Sequence, residues 1–281
     1  MRTNPFTTGI HTTTSNKPLI RWAGGKRLIV SKLLAFLPKN FGTYYEPMIG
    51  SGALFFARWP KQAVLADVNP EIVNFYKVIK TDPRGFYDTI RKLKASKYTY
   101  YEMRASAPSS PVDKAVRFFY LIRLSWNGLY RVNQEGNFNV PFGGRTPQEL
   151  ITLERILRAS HALKNARLLC GDFEETTATA KAGDLAYFDP PYPRGACNGN
   201  GFARYSSLAF SVHDHTRLAN HVASLADRGV HVVVTHAARK DIRKLFPACF
   251  FVKFVKGFSL IAASSRHRKQ VYEVILTSYR S

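Results

Sequence analysis

Four consecutive residues, Asp189-Pro190-Pro191-Tyr192, directly follow the apolar run Leu185-Ala186-Tyr187-Phe188. The run predicts a buried strand that ends in a rigid polar corner. Pro190 and Pro191 lack backbone N–H groups and have a fixed φ, so the corner offers carboxylate and carbonyl oxygens with few competing donors. A planar molecule carrying an NH2 group suits such a pocket. Tyr192 can stack on its ring, while the Asp189 carboxylate and the Pro190 carbonyl accept hydrogen bonds from the amine. The competing reading is a strand that ends in an ordinary turn.

Two further groupings offer related chemistry. Tyr44-Tyr45-Glu46 predicts a first strand, followed by Pro47-Met48-Ile49-Gly50-Ser51-Gly52 and a helical run from Ala53 to Arg58. Gly50 and Gly52 allow close approach of the backbone to a ligand. Ala63-Val64-Leu65-Ala66 predicts a second strand ending at Asp67, seventeen positions after Gly50 and placed to accept hydrogen bonds from ribose hydroxyls. A full Gly-x-Gly-x-x-Gly is absent, which favours a nucleoside without phosphates over a dinucleotide. Nearer the amino end, Arg21-Trp22-Ala23-Gly24-Gly25-Lys26 joins a flat aromatic, two glycines and a cation able to reach a carboxylate. Lys26 precedes Arg27, not Ser or Thr, and the upstream spacing fails for a phosphate loop, which excludes an ATPase reading. The bland alternatives are a tight strand-to-helix turn at Gly50 and a helix start with a core Trp at Trp22.

The elements that must position these residues alternate. A helix is predicted from Pro70 to Lys80, with Ile72, Phe75, Tyr76 and Ile79 on one face. From about Asp82 to Leu129 the rhythm changes to amphipathic pieces dense in Lys, Arg and Tyr, which predicts an inserted helical domain. Tyr130 to Pro141, with Gln134-Glu135-Gly136-Asn137 as its turn, predicts a β-hairpin. A helix from Pro147 to about Leu163 restores the alternation. Strands are then expected at Leu168–Cys170, Leu185–Phe188 and Val230–Val234, with a helix from about Asp214 to Asp227. Phe250–Phe254 and Val271–Thr277 form a closing antiparallel pair. The fold class is therefore α/β with an inserted, mostly helical domain. The expected division is a flexible extension at 1–16, one domain from 17–81 and 146–281, and the insertion at 82–145. In an open α/β sheet, ligands bind at the carboxyl ends of strands, where Gly50, Asp67 and Asp189 all fall.

The charge balance points to a partner. Across 281 residues, 41 Lys and Arg against 19 Asp and Glu give a net charge of +22, an electrostatic footprint for a polyanion. Nucleic acid is the default partner and an anionic membrane surface the alternative. No apolar run reaches membrane-span length and the start lacks a secretory core, so a cytoplasmic protein is expected. Cys170, Cys197 and Cys249 lack metal-ligand spacing, so neither a disulfide framework nor a metal site is expected.

Six motifs occur in one order: Arg-Trp-Ala-Gly-Gly-Lys (21–26), Glu-Pro-Met-Ile-Gly-Ser-Gly (46–52), Ala-Asp-Val-Asn (66–69), Trp-Asn-Gly-Leu-Tyr-Arg-Val-Asn (126–133), Phe-Asn-Val-Pro-Phe-Gly (138–143) and Asp-Pro-Pro-Tyr (189–192). Together they resemble the Dam-type (D12 class) DNA adenine methyltransferases over roughly residues 17–280. The resemblance implies a Rossmann-like sheet and transfer of a methyl group from S-adenosyl-L-methionine to adenine N6 in double-stranded DNA. It assigns Trp22, Lys26, Gly50, Asp67, Phe173 and Asp189 to the cofactor. Asp189, Pro190 and Tyr192 form the catalytic corner. Trp126, Asn127, Leu129, Arg131, Asn133, Asn139 and Pro141 fall in the DNA-reading stretch.

Chemically these roles are coherent. The lone pair of the adenine amine is delocalised into the ring, and acceptors at Asp189 and Pro190 favour a more tetrahedral nitrogen. Reaching that amine requires flipping the base from the stack. Arg can read guanine, Asn can read adenine, and an aromatic wedge can pry open a base step. Lys92, Lys94, Lys97, Arg104, Arg117 and Arg123 are phosphate-contact candidates, as are Arg266, Arg268 and Lys269. The chain also departs from the family. Several relatives carry Tyr at the Trp126 position, and many have Ser-Asn where this chain has Thr235-His236, whose role stays open. The Gly/Asn-rich stretch 194–201 is either a lid or disordered. Arg131 sits where the family reads guanine, which makes GATC the expected site. A catalytically silent DNA-binding regulator and an RNA adenine methyltransferase are the alternative functions. The sequence leaves open whether a cognate restriction endonuclease accompanies the protein.

Overall fold

The computed structural model describes residues 17–191, 210–238, 245–246, 248–258 and 270–280. Residues 1–16, Tyr192, the 194–201 stretch, Arg266, Arg268 and Lys269 lie outside the described residues. The parallel strands are β1 (Tyr44–Glu46), β2 (Ala63–Asp67), β3 (Ala166–Cys170), β4 (Leu185–Phe188) and β5 (His231–Ala237). Strands β6 (Phe251–Phe258) and β7 (Gln270–Thr277) complete a seven-stranded sheet in the order β3-β2-β1-β4-β5-β7-β6. β7 runs antiparallel to both β5 and β6. The chain leaves β1 towards β2 and β3 and returns on the other side at β4. A crevice therefore opens at the carboxyl ends of β1 and β4.

Side chains alternate across this sheet as strand geometry requires. Tyr44, Leu65, Leu185, Tyr187, Val233 and Ile275 face one apolar layer. Tyr45, Val64, Ala186, Phe188, Val234 and Leu276 face the other. Burial on both sides explains why the parallel strands read as continuous apolar runs.

The helices have local reasons for their limits. α1 (Val30–Phe36) and α2 (Ala53–Arg58) are short. α3 (Pro70–Thr81) begins where the Asn69 side chain accepts a hydrogen bond from Glu71 N, with proline in the first turn. α4 (Pro83–Ile90), α5 (Lys97–Ala105) and α6 (Pro111–Leu124) are capped by Asp82, Ser96 and Ser110 in the same way. α7 spans Leu153–Leu163, a later start than the one expected at Pro147. Leu150 and Ile151 are buried ahead of the helix, and Thr152 supplies the cap. α8 (Phe173–Thr176) and α9 (Val212–Asp227) follow, the latter closed by a reciprocal Ser211/Asp214 capping box.

Helices α4 to α6 share their apolar layer with the sheet. Phe75 of α3 lies 5.7 Å from Phe86 of α4 and stacks on Phe119 of α6 at 5.8 Å between ring centres. The expected hairpin takes the form of a loop held by two isolated antiparallel bridges, Val132 to Phe138 and Ser125 to Phe142. Because the aromatic cluster ties both parts together, Phe75→Ala is expected to cost about 3–5 kcal/mol. Chemical denaturation followed by tryptophan fluorescence and far-UV circular dichroism should give one coincident transition. Two resolved transitions in the unmutated protein would mean that the helices fold separately from the sheet.

Candidate active site

The carboxyl ends of four strands set out the polar residues. Glu46 ends β1, Asp67 ends β2, Asp189 follows β4, and Thr235 lies near the end of β5. Glu273, within β7, pairs in register with Ala237 at the end of β5. Trp22 and Lys26 reach the same end from the amino-terminal turn.

Gly50 makes the tight connection after β1. Its φ is +45°, and a Cβ there would strike Trp22 Cδ1 at 2.7 Å. The indole thus lies against the backbone at a place only glycine leaves open. Gly50 N donates to Asp67 Oδ2 and Asn69 N to Oδ1, both at 3.0 Å. The Asp67 carboxylate is held in one orientation and keeps unused lone pairs. Burial pushes its carboxyl up to about 6, against the opposing hydrogen bonds from Asn69, Gly50 and Val68. Gly171 N donates to Asp67 O at 3.3 Å, which ties the start of α8 to this end of β2. Phe173 there is buried, with the Arg217 guanidinium 5.1 Å from its ring centre.

Lys26 is 4% exposed, and its Nζ lies 2.6 Å from Asp189 Oδ1 and 2.8 Å from Oδ2. The same nitrogen donates to Gly24 O at 2.7 Å and lies 3.8 Å from Glu273 Oε2. The sequence offers Lys26 as a cation able to reach a carboxylate, and the structure shows Asp189 to be that carboxylate. Asp189 Oδ1 also accepts from Thr235 Oγ1 at 2.8 Å. Pro190 is buried beside it. Glu46 is fully enclosed and accepts from Tyr44 Oη at 2.8 Å. Burial, with the nearby charges of Asp189 and Asp67, pushes its carboxyl up to about 8 against the Tyr44 hydrogen bond.

Residues 126–141, the stretch expected to read DNA, form a second cluster. Asn127 (φ +54°) and Gly128 (φ +67°) make a left-handed turn. Trp126 is 36% exposed, and its backbone N–H donates to Pro141 O at 3.0 Å. Leu129 is half-buried, and its carbonyl accepts from Ser125 Oγ at 3.0 Å. Arg131 donates through Nε to Asn139 Oδ1 at 2.6 Å and through Nη2 to Asn139 O at 3.2 Å. Asn133 builds the turn instead, its Oδ1 accepting from Glu135 N and Asn137 N. Tyr130 joins the two clusters: its ring centre is 5.4 Å from that of Trp22, and its hydroxyl donates to Glu71 Oε2 at 2.8 Å.

Of the phosphate candidates, Lys92, Lys94 and Lys97 are exposed. Arg117 is turned inward, bonding the Met103 and Arg104 carbonyls and pairing with Glu71 at 3.4 Å. Arg123 lies near Arg155 and Arg145, and burial together with these like charges lowers its guanidinium from the usual range. Arg21 is lowered in the same way by burial and by Arg145, Arg123 and Arg27. No helix among the described residues is long and apolar enough to cross a membrane.

Glu273 and Glu71 escaped sequence reasoning, because each matters through a partner distant in the chain. Glu46 could have been noticed, as an acid ending an otherwise apolar strand. Its proton has a measurable consequence. A group held at about 8 in the fold and titrating near 4.5 when exposed stabilises the fold fully below 4.5, and that contribution is lost as pH rises towards 8. Glu46→Gln removes the titration while keeping an acceptor for Tyr44. Its melting temperature should therefore gain on that of the unmutated protein as pH rises through this window. Parallel curves would show that Glu46 is charged in the fold.

The chain matches the family model described as D12 class N6 adenine-specific DNA methyltransferase over residues 22–261. It is 32% identical to the type II methyltransferase M1.LlaDCHI of Lactococcus lactis subsp. cremoris, over 94% of this chain and 95% of that protein. It is also 32% identical to the DNA adenine methylase of Serratia marcescens, over 94% and 99% respectively. The type II methyltransferase M.MjaIII of Methanocaldococcus jannaschii is 30% identical over 94% and 99%.

Proposed function

The chain belongs to the D12 class of N6 adenine-specific DNA methyltransferases, and from that premise we propose that the crevice between β1 and β4 methylates an adenine flipped out of duplex DNA. The observation that carries this reading is the meeting of Trp22, Lys26, Gly50, Asp67 and Asp189 at one end of one sheet. S-adenosyl-L-methionine supplies an electrophilic sulfonium methyl when bound. The residues present fit it: the oriented Asp67 carboxylate can accept ribose hydroxyls, Trp22 walls the glycine turn, and Phe173 offers an apolar surface beside β2. Asp189 and the Pro190 carbonyl accept from the adenine amine, drawing its lone pair out of conjugation, and Tyr192 stacks on the base. The amine nitrogen would take the methyl as the methyl–sulfur bond breaks and a neutral thioether leaves, and the Asp189 carboxylate would accept the proton that the nitrogen gives up. Alignment contributes more than acid–base power in such a step.

Residues 17–81 and 146–281 supply this chemistry in our reading, 82–145 the target recognition and 1–16 an extension. Trp126 and Asn127 face the opened base step. Arg131, its fork held by Asn139, reads a guanine, for which GATC is the proposed context. Leu129, Asn133 and Pro141 shape the loop that presents them. The like-charged cluster of Arg21, Arg123 and Arg145 gains from a phosphate that relieves its repulsion. A cognate restriction endonuclease is a partner this reading admits, since relatives are named type II methyltransferases. The cytoplasm, beside the nucleoid, is the proposed place of action.

Expression in a host lacking DNA methylation, followed by single-molecule sequencing of its genome, tests the reaction and the target together. Methyladenine in one short motif is expected, and none with Asp189→Ala. An unmodified genome despite folded protein would overturn the proposed substrate. Arg131→Ala should relax discrimination at one base pair by about 1–3 kcal/mol in competition binding. Uniform weakening on every sequence would make Arg131 a phosphate contact instead.

A further inference from the structure

Thr235 extends the run Val232-Val233-Val234 on β5 and is fully buried. Valine has the same shape, so packing alone does not call for threonine here. The difference is a hydroxyl, and its partners are specific. Thr235 Oγ1 lies 2.8 Å from Asp189 Oδ1 and 3.0 Å from Tyr187 Oη. An ionised carboxylate only accepts, so Thr235 donates its single proton to Asp189 and accepts from Tyr187. The Phe188 carbonyl, at 3.5 Å, is a much weaker competitor for that proton.

Lys26 cannot do the same job. Its ammonium straddles both Asp189 oxygens, at 2.6 and 2.8 Å, and so barely distinguishes them. Thr235 touches Oδ1 and breaks the symmetry. We propose that Thr235 is a positioning residue, whose hydroxyl, oriented by Tyr187, fixes the plane of the Asp189 carboxylate and directs Oδ2 to the adenine amine. The inference rests on Asp189 as the amine acceptor. Tyr187 and Thr235 act as one relay, because the tyrosine proton sets the direction in which the threonine proton points.

The test compares full-length Thr235→Val, Thr235→Ser, Tyr187→Phe and Asp189→Ala on a duplex carrying the methylation site. Single-turnover methylation, cofactor and DNA dissociation constants, and fluorescence of 2-aminopurine at the target position are measured. 2-aminopurine lacks the N6 amine, so its signal follows flipping without needing the Asp189 contact. Thr235→Val should slow methyl transfer by about 10- to 100-fold, the scale of a misplaced reacting group. Both dissociation constants and the 2-aminopurine signal should stay unchanged, and Thr235→Ser should restore most of the rate. Tyr187→Phe should lose less, and adding it to Thr235→Val should cost nothing further.

A normal rate in Thr235→Val beside an inactive Asp189→Ala overturns the inference while leaving the Asp189 assignment standing. Equal loss in the serine variant, or loss confined to binding, also overturns it, because a structural role would then suffice. Turnover by Asp189→Ala overturns the assignment and the inference together. Should Thr235→Val not fold, Tyr187→Phe decides alone: a slower step at unchanged affinity supports the relay, and a normal rate ends it.

Discussion

The ion pair between Lys26 and Asp189 joins residues 163 positions apart and anchors the rest of the site. A lysine with 4% exposure needs its charge answered, because removing one partner of a buried pair leaves an uncompensated ion. Asp189 answers it from the end of β4. Gly24, at φ +80°, turns its carbonyl to the same ammonium. The amino-terminal turn is thereby drawn over the crevice, and Trp22 comes to rest on Gly50. That pair, with the rings of Phe118 and Tyr130 against the indole, holds Trp22 beside a turn that starts from β1.

One lysine stands among four acids, and their spacing governs which of them keep their charge. Asp189 sits in direct contact with Lys26, and Glu273 lies further off at 3.8 Å. Asp67 compensates by accepting from backbone N–H groups. Glu46 has a tyrosine hydroxyl and two negative neighbours, and it retains its proton at neutral pH. The crevice thus concentrates acceptor oxygens without accumulating charge in proportion.

Much of this was legible in the sequence where the chemistry is local. A strand running into Asp-Pro-Pro, or into glycines seventeen residues before an acid, shows its strand-end pocket by pattern alone. Capping residues and prolines likewise mark α3, α4 and α6. The start of α7 was misplaced because Leu150 and Ile151 look helical by periodicity but are buried in the chain that leads to the Thr152 cap. The Thr235 contact with Asp189 spans 46 positions and depends on the register that sets Phe188 opposite Val234. Arg117 resembled a phosphate ligand because a charge pattern does not reveal which way a side chain turns. Glu71 and two carbonyls in the last turn of α5 claim it.

The same long-range packing bears on how recognition reaches chemistry. Tyr130 precedes Arg131, and its ring contacts Trp22 at the edge of the crevice. Its hydroxyl is tethered to Glu71 in the first turn of α3, two residues from Asn69, whose N–H orients Asp67. Glu71 therefore answers Tyr130 and Arg117 from the helix that begins just beyond β2. A displacement of Tyr130 cannot leave Trp22 untouched, because the two rings are in contact and Phe118 packs against both, at 6.3 Å from the indole and 6.0 Å from the tyrosine. Close-packed aromatic contacts transmit strain instead of absorbing it. The helices α4 to α6 are consequently packed into the same body as the sheet, through Phe75, Phe118, Phe119 and Tyr130.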